Sequence, residues 1–130
     1  WILGVKTEQP NTAIKTVGGG KTELLGGFIF PVGAVPTTLP AFINEESSHS
    51  LTYVTHGPTD HQVQVQEIRG GVTLQLLQGT VQRRGLASMV PLYVGYNGGN
   101  GNPKGGVSPA IVIGALLLAL LAAWLSTKNK

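Results

Sequence analysis

Short apolar runs recur along residues 1–95, cut apart by glycines and prolines. Residues 1–5, 12–16, 22–30, 41–43, 51–55, 72–77 and 89–94 each carry the apolar and β-branched composition of a strand. Gln62-Val63-Gln64-Val65-Gln66 alternates strictly, with valines to one side and glutamines to the other. No segment before residue 107 keeps a helical apolar period for ten residues. Gly18-Gly19-Gly20, Gly26-Gly27, Pro36, Pro40, Gly57-Pro58, Gly70-Gly71 and Gly85 interrupt it too often. The pattern predicts an all-β body of short strands.

The pattern changes after residue 105. From Gly105 to Thr127 the chain carries no charge over 23 residues, with an unbroken apolar centre at residues 110–125. At ~1.5 Å rise per residue, a helix over this run spans a bilayer's ~30 Å hydrocarbon core. Pro109 suits a first helical turn, and Trp124 sits where an interfacial aromatic would, just before Lys128 and Lys130. A single C-terminal transmembrane helix over 107–127 is therefore expected, with a basic cytoplasmic end at 128–130. Basic residues are retained inside, which puts the body outside, in the periplasm or at the cell surface. A removable sorting signal is the alternative for the same run. Residues 96–106, rich in Gly and Asn, have the composition of a flexible linker. The chain opens at Trp1 rather than Met, so it is expected to be a piece of a longer protein.

An internal echo runs through the first third. Ile2-Leu3-Gly4 returns as Leu24-Leu25-Gly26 after 22 residues, and Lys6-Thr7-Glu8 returns as Lys21-Thr22-Glu23 after 15. A spacing near 22 is that of one coil in a stack of parallel strands. It predicts parallel, in-register stacking around Leu3, Ile14, Leu25 and Phe42. Residues 60–95 read as paired strands of a closing cap, with Gln-rich strands at 62–66 and 75–82 as its polar outer surface.

Three segments carry a resemblance: Trp1 to Glu8, Gly20 to Pro31 and Pro40 to Asn44. They resemble the last coils of bacterial right-handed parallel β-helix proteins, the pectate-lyase-like proteins related to polygalacturonase-type glycoside hydrolases. The resemblance covers roughly residues 1–55. It implies the C-terminal coils and cap of a right-handed parallel β-helix over 1–95, with polysaccharide as the ligand of the complete protein. No catalytic residue of that family maps onto a position in this chain.

Charge sharpens the picture. Residues 1–103 hold six basic and six acidic side chains, so the body is formally neutral; the net +3 comes from Lys104, Lys128 and Lys130. Arg83-Arg84 is the one basic pair, too little for nucleic acid, and no nucleic-acid partner is expected. The absence of cysteine excludes a disulfide scaffold, a thiolate metal site and a Cys nucleophile.

The candidate chemistry is sparse. Gly18-Gly19-Gly20-Lys21-Thr22 lacks the first glycine of a phosphate loop, since Lys15 stands there, and a turn is the better reading. His49, His56 and His61 lie near Glu45, Glu46 and Asp60, groups able to bind metal or move protons. Their spacings match no zinc pattern. Glu45 and Glu46 are adjacent and point to opposite faces of a strand, poor geometry for a glycosidase pair; Glu46 with Asp60 stays open. Ser47, Ser48 and Ser50 lack a nucleophile-elbow context. Trp1, Tyr93 and Tyr96 are aromatic groups able to stack on sugars or to pack. No catalytic, cofactor-binding or metal residue is assigned. The expected role is structural and anchoring, the C-terminal part of an exported, carbohydrate-associated protein held in the membrane by 107–127. A glycoside hydrolase or polysaccharide lyase fragment and a surface or phage adhesin are the alternatives.

Overall fold

A computed structural model describes residues 1–57 and 60–95. Nine strands follow one another: β1 (Ile2–Thr7), β2 (Ile14–Val17), β3 (Lys21–Ile29), β4 (Pro40–Glu45), β5 (Ser48–His56), β6 (Val63–Arg69), β7 (Val72–Leu77), β8 (Gln82–Arg84) and β9 (Ala87–Gly95). A single 3₁₀ turn, Gln78–Thr80, joins β7 to β8. The strands form two sheets, in the orders β1-β3-β5-β9-β8 and β2-β4-β6-β7.

Each sheet is parallel at one end and antiparallel at the other. β1, β3 and β5 pair parallel, as do β2, β4 and β6. β9 then joins β5 antiparallel, β8 joins β9 antiparallel, and β7 joins β6 antiparallel. The 22-residue echo is a register: Leu3 pairs with Leu25, and Ile2 with Leu24. Ile14 pairs with Phe42.

Side-chain alternation builds the core from these registers. In β5 every second residue faces inward, so His49, Leu51, Tyr53 and Thr55 are buried. Leu24 and Leu51 stack as neighbours in one sheet, Phe42 and Val65 in the other, all fully buried. The Phe42 and Tyr53 rings meet between the sheets at 4.4 Å, and the Tyr53 hydroxyl donates to the Gln64 carbonyl at 3.3 Å. Each such aliphatic or aromatic side chain contributes about 1.5–3 kcal/mol by burial.

The expected right-handed parallel β-helix is corrected. The body is all-β, but it is two mixed sheets, with no continuous parallel winding. Tight turns explain the difference. Arg69 pairs with Val72 across Gly70-Gly71, whose φ values of 54° and 78° give the two left-handed positions of a type I′ hairpin. That turn sends β7 back along β6. Gly85, at φ 59°, reverses the chain between β8 and β9. The polar outer surface expected of the Gln-rich strands is also only partial. Gln66 and Gln75 do bond each other at the surface, but Gln64 and Gln78 are buried.

Among the described residues no helix is long and apolar enough to cross a membrane, so the expected transmembrane helix is not met there. The segment 107–127, the linker 96–106 and the basic end 128–130 lie outside the described residues.

Candidate functional site

Two buried carboxylates anchor the polar chemistry of the body. The first is Glu67 on β6. Asn44 lies opposite it on β4, through the Asn44–Glu67 register. His49, the second residue of β5, pairs with Gly95, while Tyr93 reaches in from β9. Asn44 Nδ2 donates to both carboxylate oxygens, at 3.1 and 3.0 Å. His49 Nε2 and the Tyr93 hydroxyl each lie 3.1 Å from Oε1, and Arg69 Nη2 donates to Oε2 at 2.6 Å. Burial alone would raise the Glu67 pKa. The bonds from His49 and Asn44 and the charges of His49 and Arg69 outweigh it, and the carboxyl sits below its usual range. Burial, then the Glu67 charge, pushes the Tyr93 phenol up.

The second is Asp60, in the loop between β5 and β6. It accepts from the Thr55 hydroxyl, from the His61 backbone N–H at 2.6 Å and from Gln78 Nε2 at 3.1 Å. Burial again opposes ionisation, and bonds from His61, Thr55 and Gln78 overcome it, lowering the Asp60 pKa. Gln64 donates to the His61 carbonyl at 2.8 Å. His61 Nε2 lies 3.1 Å from the Asn11 carbonyl, tying this loop to the β1–β2 connection.

These clusters lie far apart. Glu67 is bonded to His49 and Asp60 to Thr55, six residues further along β5. At ~3.3 Å per residue that is about 20 Å. A glycosidase pair needs carboxyls ~5–9.5 Å apart. Glu46 precedes the start of β5, so it also lies a strand length from Asp60, which closes the pairing left open by the sequence. Its carboxylate accepts from the Gly70 N–H.

The other sequence candidates disperse. Glu45 pairs with Lys15 at the surface, 2.8 Å apart. His56 packs on the outer face against Phe28 and Phe30, 6.5 and 5.7 Å between ring centres. His49 and His61 belong to different clusters, and no group of three metal-binding side chains converges among the described residues. Ser47 is buried and donates to the Glu45 carbonyl at 2.9 Å. The glycine turn offers no phosphate cradle: Gly18, Gly19 and Gly20 already donate to the carbonyls of Glu45, Glu46 and Val17. Trp1 is 88% exposed. Tyr96 lies outside the described residues.

Sequence reasoning missed Asn44, Glu67, Arg69, Gln64 and Gln78. The one signal for them was Glu67-x-Arg69, opposite charges two apart on one strand, where both side chains share a face. Compared with protein families, with curated proteins and with solved structures, the chain gives no match.

Proposed function

We propose that the chain is a structural, non-catalytic module, in which two internal carboxylate clusters brace the sheets. The observation that carries this reading is the saturation of both acids by protein donors. Glu67 takes bonds from four side chains on four strands, and Asp60 takes its bonds from Thr55, His61 and Gln78. The two carboxylate side chains are themselves at most 4% exposed. A general acid must reach the proton it transfers, within about 2.6–3.2 Å of substrate or through one water. A carboxylate already surrounded by donors, and below its usual pKa, is a brace: Glu67 ties β6 to side chains 18 to 26 positions away on β4, β5 and β9.

The test is to incubate the purified chain and its Glu67→Gln and Asp60→Asn variants with pectic and neutral glycans, and to measure both sugar release and unfolding. The expected outcome is no turnover by any of the three, with both variants unfolding at lower denaturant. Turnover by the parent chain that disappears in Glu67→Gln while stability is unchanged would overturn the structural reading.

A further inference from the structure

The Asp60 cluster brings a hydroxyl and a carboxamide from opposite sheets together in the core. Thr55 lies on β5 and Gln64 on β6. The Thr55 hydroxyl donates to Asp60 Oδ2, and the same Oγ1 lies 3.4 Å from Gln64 Oε1. Gln64 Nε2 is held by the His61 carbonyl at 2.8 Å, which keeps the amide oxygen toward Thr55. The Asn11 carbonyl only accepts, so His61 Nε2 carries a ring proton. Its Nδ1 has no hydrogen-bond partner and lies 3.8 Å from Asp60 Oδ1. A hydroxyl, a carboxylate bonded to it, an imidazole nitrogen behind the carboxylate and an amide beside the hydroxyl are the parts of an acyl transfer. Thr55, His61 and Gln64 are fully buried, so the amide within reach is the chain's own.

We propose that Thr55 and Gln64 join in an intramolecular ester, formed once after folding with release of ammonia. This rests on the Asp60 cluster as a brace and makes one of its ties covalent. Asp60 Oδ2 takes the Thr55 proton. The freed electron pair on Oγ1 attacks Gln64 Cδ, one C=O bond beyond the oxygen that Oγ1 already meets. Negative charge develops on Oε1. Ser88, the register partner of Thr55 on β9, has a buried hydroxyl with no hydrogen-bond partner, a donor for that charge. The proton passes from Asp60, directly or through His61 Nδ1, to Gln64 Nε2. The Cδ–Nε2 bond then breaks, and ammonia leaves with the electron pair. The proton lost by Thr55 is the one gained by ammonia, so the step needs no co-reactant. The burial that keeps water from competing also protects the ester from hydrolysis.

Intact-mass measurement of the full chain tests this, beside Thr55→Val and Asp60→Asn. The parent is expected one ammonia lighter than its sequence requires, and both variants at their full sequence mass. Cleavage of the denatured parent before Asp60 should leave the pieces carrying Thr55 and Gln64 joined, until mild alkali hydrolyses the ester. A parent at full sequence mass, a loss that maps to other residues, or a loss that persists in either variant would overturn the ester. The hydrogen-bonded brace is read separately, from the unfolding of Asp60→Asn, and stands or falls on that measurement.

Discussion

Gly95 shows how close the polar packing is at the scale of one residue. A Cβ at this position would fall 1.9 Å from Glu67 Oε1 and 2.9 Å from Asn44 Nδ2. Any side chain must therefore push the carboxylate out of its ring of donors. Gly95→Ala is expected to cost about 1–3 kcal/mol, the usual range for overpacking, measured as a lower urea midpoint. Gly79→Ala is the matched control, because nothing lies within 4 Å of a Cβ there; it should change stability by less than about 0.5 kcal/mol. This cluster was hardly legible in the sequence. Asn44 and Glu67 are 23 positions apart and meet only through the β4–β6 register. The residues that drew notice, Glu45 and Glu46, are its immediate chain neighbours, but strand alternation turns Glu45 to the surface.

At the scale of the strand, alternation decides which of two adjacent leucines matters. Leu24 is fully buried and Leu25 is 47% exposed. Leu24→Ala should cost about 2–5 kcal/mol, as for other buried leucines. Leu25→Ala should cost less than half of that, read from the same denaturation curves. Most strands are legible as apolar runs between glycines and prolines, and the Leu3–Leu25 pair is legible in the 22-residue echo; Ile14 and Phe42 pair at a spacing of 28, which that echo does not give. β8 was not, because Gln82-Arg83-Arg84 has no apolar residue. Gln64 was placed on the outer surface by the alternation of 62–66. The register of β6 against β7 shifts between Val63 and Val65, and Gln64 is buried there. A shift of one residue is invisible to a period-2 pattern.

At the scale of the molecule, the parallel and antiparallel halves have different causes. Parallel neighbours need long connections, and β1 to β3 and β3 to β5 each reach across the second sheet through β2 and β4. Antiparallel neighbours need only a tight turn, which Gly70-Gly71 and Gly85 supply. Gly70-Gly71 and Gly85 were read as interruptions, without their φ values. The resemblance of residues 1–55 to parallel coils then extended a parallel expectation over strands that two turns reverse. The neutral body left no charge pattern to favour one topology over another.

The bracing role is tested most directly by stability as a function of pH. Glu67 and Asp60 both have folded pKa values below their ordinary ones. Their contribution is therefore fully present above the unfolded values, about 4.3 for Glu and 3.9 for Asp. It is lost as pH falls through the folded values, because protonation then favours the unfolded chain. The stability of the parent chain in urea should fall steadily below about pH 5, by up to ~1.4 kcal/mol per pH unit for each carboxylate. The Glu67→Gln/Asp60→Asn variant should start less stable at pH 7 and fall much less on acidification. If the parent and the double variant show the same stability at pH 7 and the same acid dependence, the carboxylates do not brace the sheets and the account is wrong.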